Sequence, residues 1–121
     1  MRSLRHILVV AADYAVRTLV RRTIFRTCSA VTVSAVENEH DALSAYERVG
    51  ADVIITNHEP SELDGVALIR AIRARDQATP IVLLADDATI EPRARRAGVT
   101  YFLGKPGRLE HLPEILTQLL V

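Results

Sequence analysis

Ile7-Leu8-Val9-Val10-Ala11-Ala12-Asp13-Tyr14-Ala15-Val16 is the stretch that decides the fold. Four apolar residues, mostly β-branched, run without a polar break and stop at two alanines and an acid. A run so short predicts a strand covered on both faces, not a helix. The period then changes. Val16, Leu19, Val20 and Ile24 form one helical stripe, with Arg17, Arg21, Arg22 and Arg26 on the other face.

The same unit recurs along the chain. Val53-Ile54-Ile55 and Ile81-Val82-Leu83-Leu84 are again continuously apolar and predict central strands. Val31, Val33 and Ala35 alternate with Thr32 and Ser34, which predicts an edge strand. Val99 to Leu103 is a weaker fifth run. Ala42, Leu43, Tyr46 and Val49 make a second helical stripe, ended by Gly50. Val66, Ile69 and Ile72 make a third, with Arg70, Arg73 and Arg75 facing water. Thr89 to Ala97 is a poor fourth helix, interrupted early by Pro92 and followed by Gly98. Leu109, Leu112, Ile115, Leu116 and Leu119 make the fifth.

Five alternations of strand and helix imply an α/β fold, a doubly wound parallel sheet with right-handed crossovers. Residues 1–121 read as a single domain. In such sheets the functional crevice lies at the carboxyl ends of the strands. The positions to interrogate are therefore 11–13, 56–59, 85–87 and 104–106.

Bulk properties narrow the function. Lys+Arg and Asp+Glu are both 15, so the formal charge is zero. Phosphate affinity comes from net positive surface, so direct nucleic-acid binding by the whole domain is not expected. The single cysteine, Cys28, excludes an internal disulfide and fits a reducing compartment, with the residue reading as an apolar filler near a helix end. The apolar run before Asp13 is too short for a signal peptide or a span. The chain reads as soluble and cytoplasmic, with no membrane contact. No Gly-rich phosphate loop follows any strand, which speaks against a nucleotide.

On these residues the sequence resembles the receiver domains of two-component response regulators, the CheY-like class. Ile7-Leu8-Val9-Val10 with Asp13, Val16 and Arg17 is similar to the family's first strand and helix. Asp52 to Asn57 is similar to the third strand, and Leu63-Asp64-Gly65 to the start of the third helix. Pro80 to Leu84 matches the fourth strand, and Gly98 and Lys105-Pro106 match the later landmarks. The resemblance implies a flavodoxin-like (βα)5 sandwich with a five-stranded parallel sheet of order 2-1-3-4-5. It also implies a cis bond between Lys105 and Pro106.

The departures fall on the chemistry. The family's two Mg²⁺-binding acids fall on Ala11 and Ala12, with only the next residue, Asp13, acidic. Its phosphoacceptor aspartate falls on Asn57, its phosphate-sensing Thr or Ser on Ala85, and its switch aromatic on Phe102. Lys105 and Pro106 are retained. Aspartyl phosphorylation needs a carboxylate nucleophile and a divalent ion to neutralise charge. An amide at Asn57 cannot form a stable acyl phosphate, and alanines offer Mg²⁺ no oxygen.

The expectation is a non-enzymatic pseudo-receiver, without cofactor or metal. It would act through protein contacts with a histidine kinase-pathway component or an output domain. The alternatives are a phosphorelay receiver whose acceptor moved to Glu59 or Asp13, and a dimerisation or docking module for a missing output domain. A homodimer through the fourth and fifth helices would use apolar surface at Leu116, Leu119 and Leu120. Asp13, Glu59, Asp86 and Asp87 could form a rearranged cation site, with His58 beside them, although loop acids are usually just solvated.

Overall fold

The computed structural model describes residues 4–104 and 109–120. Lys105 and Pro106 lie outside the described residues. The elements alternate as β1 (Arg5–Val10), α1 (Tyr14–Thr27), β2 (Val31–Val36), α2 (Glu39–Val49) and β3 (Val53–His58). They continue as α3 (Gly65–Arg73), β4 (Ile81–Ala85), a short 3₁₀ turn (Ala88–Ile90), α4 (Glu91–Ala97), β5 (Tyr101–Leu103) and α5 (Leu112–Leu120).

The strands form one parallel sheet of order β2-β1-β3-β4-β5. This is the doubly wound flavodoxin-like sandwich, and it explains the continuous apolar runs. In β1, Ile7 and Val9 point into one core with Val20 and Ile24 of α1 and Leu112 and Leu116 of α5. Leu8 and Val10 point into the other, with Ala42 of α2, Ile69 of α3 and Ala94 of α4. A strand with a core on each side has no solvent face to encode. β2 lies at the sheet's edge, as its alternation implied.

The helices start where short polar side chains can accept their first free N–H groups. Asp13 caps α1 through Ala15 and Val16, Asn38 caps α2 through Asp41, and Asp64 caps α3 through Ala67. α4 ends on Gly98, whose φ of 106° suits a residue without a Cβ.

Several local expectations change. Leu19 and Val49 are exposed, at 44% and 55%, so the stripes of α1 and α2 are narrower than the apolar pattern suggests. Pro92 sits in the first turn of α4, where its missing N–H costs nothing, so it opens the helix and does not interrupt it. β5 begins at Tyr101 because Thr100 turns its hydroxyl to accept the N–H of Ile81. Arg73 is half-buried and does not simply extend into water. Its guanidinium donates to Gly98 O at 2.9 Å and Asp76 O at 3.0 Å, tying α3 to the turn before β5. Leu116 is fully buried, and Leu119 and Leu120 pack against the α1/α5 core. The apolar end of α5 is thus largely spent inside the domain.

Asp76 is a second tie, joining α2 to the loop before β4. It accepts from the hydroxyls of Thr79 and Tyr46, from Thr79 N at 3.0 Å and from Ala78 N at 2.8 Å. The Thr79 hydroxyl first, and then Tyr46 and the two amides, hold its carboxyl well below the usual carboxylate range. Such a group adds stability above the unfolded-state pKa and loses it as pH falls toward the folded value. Asp76→Asn should therefore cost about 1–3 kcal/mol at pH 7. The gap to the parent chain should narrow as pH drops below about 4, read by urea unfolding at several pH values.

Gly65 opens α3 directly under the end of β3. A Cβ there would meet Leu83 Cδ1 at 2.6 Å and the backbone oxygen of Asn57 at 2.9 Å. Gly65→Ala should destabilise by roughly 1–3 kcal/mol in the same unfolding experiment, since the backbone atom cannot yield cheaply.

Candidate functional site

The carboxyl ends of β1, β3 and β4 converge on a cleft of about 400 Å³ lined by Asp13, Val16, Asn57, His58, Glu59, Pro60, Ser61, Asp86 and Asp87. The sheet brings together three of the four stretches singled out from the sequence.

Ala11 is buried at the end of β1, and its N–H continues the ladder to Val36 O at 3.0 Å. Ala12 is half-buried against the α2/α3/α4 core. The next two N–H groups, of Ala12 and Asp13, turn toward the cleft, and neither residue 11 nor residue 12 offers an acceptor. Glu59 supplies one. Its Oε2 accepts from Ala12 N at 2.9 Å and its Oε1 from Asp13 N at 3.1 Å. The same Oε2 accepts from Asn57 Nδ2 at 2.9 Å. One carboxylate thereby joins the loop after β1 to the end of β3. Charge-assisted hydrogen bonds of this kind are stronger than neutral ones.

The loop after β3 holds Glu59 in place. Glu59 and Leu63 exchange backbone hydrogen bonds, at 2.9 Å and 2.8 Å, and Glu62 N donates to Glu59 O at 2.8 Å. Pro60 and Ser61 form the tip of this tight turn. Leu63, 2% exposed, anchors its return. His58 Nδ1 accepts from Gly65 N at 3.1 Å, so its lone pair is committed to the start of α3. The nearby Asp64 Oδ1, at 3.8 Å, is beyond hydrogen-bond distance, and this contact is no ion pair in that geometry.

Asn57 is 3% exposed, and its buried Oδ1 has no hydrogen-bond partner among the described residues. Ala85, fully buried, ends β4 beside it, paired in register with His58. Phe102 is partly buried against the α2/α3/α4 core, with its ring edge 3.1 Å from where a Cβ on Gly104 would stand.

The acids of the cleft do not converge. Asp13 Oδ1 is occupied by Ala15 N at 2.7 Å and Val16 N at 3.2 Å. Asp87 caps the 3₁₀ turn, and the Thr89 hydroxyl and amide hold its carboxyl below the usual range. Among the described residues, no three His, Cys, Asp or Glu side chains cluster, and the positions where the family's magnesium acids and phosphoacceptor fall carry two methyl groups and an amide, Ala11, Ala12 and Asn57. The donor set therefore does not fit the Mg²⁺ that the family resemblance implies.

Two contributors were not legible as such. From the sequence Glu59 stands out as a loop acid and an alternative acceptor beside Asp13, not as a partner for backbone N–H groups. The signal that could have found it is the alanine pair, which leaves two loop N–H groups in need of an acceptor from elsewhere. Helical spacing puts Arg17 on the face of α1 away from its apolar stripe, with no partner implied. Instead its Nη1 donates to Ala11 O at 2.7 Å and Ala12 O at 3.3 Å, with Glu37 at 3.7 Å and the Tyr14 ring 5.5 Å away. Away from this site, burial pushes the Cys28 thiol up, so it stays protonated and fills the end of α1.

Comparison with known proteins agrees with this architecture. Transcriptional regulatory protein ZraR of Salmonella typhimurium is 30% identical over 83 residues, 67% of this chain and 19% of that protein. The chain thus corresponds to less than a quarter of that relative. Chemotaxis response regulator CheY4 of Vibrio cholerae superposes with a TM-score of 0.81 at 24% identity, covering 98% of this chain and 100% of that one. The signal receiver domain of an HD domain-containing protein from Pseudomonas fluorescens Pf-5 gives 0.84 at 22% identity, covering 99% and 89%. At those identities the structures speak to the fold alone. No helix among the described residues is long and apolar enough to cross a membrane. The sequence profile of the response regulator receiver domain matches residues 7–117, and this chain therefore belongs to that family of two-component signalling modules.

Proposed function

We propose that this receiver is a pseudo-receiver. It transmits through protein contacts, with a kinase-pathway component or an output domain, and does not accept a phosphoryl group. The observation that carries this reading is the Glu59 clamp. An amide, Asn57, stands at the end of β3, and its Nδ2 is bound to a carboxylate that also holds Ala12 N and Asp13 N. The nucleophile is missing, and the ground beside it is occupied. The two acids that could substitute are both engaged, Glu59 in the clamp and Asp13 in the cap of α1.

The clamp also suggests why the domain would hold one conformation. A carboxylate cluster repels itself, and at an effective dielectric of ~20 each close pair costs on the order of a few kcal/mol. Here a single carboxylate faces three N–H donors.

The direct test is an amide NMR titration with Mg²⁺ and beryllofluoride. Residues 11–13, 57–59 and 85–87 should keep their shifts, and the thermal melt should not respond to Mg²⁺. Saturable shifts confined to these loops would establish a working acceptor and overturn the proposal.

Restoring the acid alone should not restore function. Asn57→Asp would replace a donor 2.9 Å from Glu59 Oε2 with a second carboxylate. At pH 7 it should destabilise the fold by roughly 2 kcal/mol or more. Mutual repulsion raises the folded pKa of one of the pair. Part of the lost stability should therefore return as pH falls through about 5, measured by unfolding at stepped pH, with no labelling by acetyl phosphate.

A further inference from the structure

We propose that two copies of this chain associate through β2, paired antiparallel about a two-fold axis at Val33. β2 ends the sheet and runs for six residues, whereas the opposite edge, β5, has three. Exposed edges are usually protected by charge, proline, a bulge or brevity. Val31-Thr32-Val33-Ser34-Ala35-Val36 has no charged residue and no proline. Its register with β1 runs unbroken from Arg5↔Val31 to Val10↔Val36, so it has no bulge. All six residues retain solvent exposure.

The backbone fixes which groups the edge presents. Arg5 N donates to Ala30 O and Ala11 N donates to Val36 O, so even-numbered residues turn their peptide groups toward β1. Direction alternates along a strand. Val31, Val33 and Ala35 therefore turn their N–H and C=O groups outward. An axis at Val33 sets Val33 opposite its own copy and Val31 opposite Ala35 of the second copy. Every outward-facing residue then falls in a hydrogen-bonded pair, each exchanging two N–H···O=C bonds. Moving the axis to Thr32 or Ser34 loses part of this pairing.

The side chains agree with the backbone. Thr32 falls opposite Ser34 of the second copy in the closer, non-hydrogen-bonded position; both hydroxyls are already held by His6 of their own copy, at 2.6 Å and 2.9 Å, so the pair adds contact between small side chains and no new hydroxyl bond. Val33 meets Val33, and Val31 meets Ala35. No like charges oppose each other, and a formal net charge of zero leaves the two copies without long-range repulsion. This surface is separate from the α4 and α5 faces, and it requires nothing of the cleft.

The test is sedimentation equilibrium of the chain from about 10 μM to about 1 mM. The mass should rise from 13.4 kDa toward twice that value. Val33→Pro, which removes one outward N–H, should remain monomeric throughout. Thr32→Lys, which sets a charge on the edge at the strand's exposed position without entering the α1/α5 core, should do the same and covers the case in which the proline variant fails to fold. Circular dichroism checks that each variant is folded. A parent chain that stays monomeric overturns the proposal. So does a dimer that both folded variants preserve, or a mass that climbs past the dimer, because a two-fold pairing closes.

Discussion

The constraint on which the rest depends is the burial of β1, β3 and β4 on both faces. Ile7, Leu8, Val9 and Val10 are all at most 1% exposed, although they point alternately to opposite sides. Such strands are stable only if helices cover both faces, and parallel pairing forces each connection back across the sheet. α1 and α5 take one face, and α2, α3 and α4 the other. The loops after β1, β3 and β4 must then emerge together at one end of the sheet. The cleft follows from this winding, before any side chain in it is considered.

What fills the cleft follows from hydrogen-bond accounting. The turn from β1 into α1 leaves N–H groups pointing at the cleft, and an unsatisfied donor costs about 1–3 kcal/mol when water is excluded. The alanines at 11 and 12 cannot accept them, so Glu59 reaches across from the loop after β3. Arg17 performs the opposite service, donating to the carbonyls of Ala11 and Ala12. Both polarities of this short loop are thus satisfied by charged side chains, Glu59 from the loop after β3 and Arg17 from the start of α1. Asn57 Oδ1 is the exception, a buried acceptor with no partner among the described residues.

Ties outside the cleft use the same device. Asp76 gathers two hydroxyls and two amides between α2 and the loop before β4, and Arg73 links α3 to Gly98 and Asp76. Each joins elements distant in sequence. Helix geometry alone placed Arg73 on the water side, yet its length lets it lie along the surface and find carbonyl oxygens. The exposed Leu19 and Val49 make the complementary point, since an apolar residue at the margin of a stripe need not be covered.

The sequence by itself determined the alternation, the edge position of β2, and which positions surround the cleft, while the Asp64-Gly65 start of α3 was what the family resemblance implied. These are carried by periodicity and by turn chemistry, both local in the chain. It also determined that positions 11, 12 and 57 carry no carboxylate. Only the tertiary structure decided that, of the four acids lining the cleft, Glu59 would be the one to join the loop after β1 to the end of β3. All four are loop acids beside strand ends, equal in type. Asp13 and Asp87 are drawn off by the N–H groups of their own following turns, an interaction of short sequence range. Glu59 is held by a turn closed on Leu63 and aimed at amides 46 and 47 residues away. That choice depends on how β1 and β3 stand side by side, which no local pattern encodes.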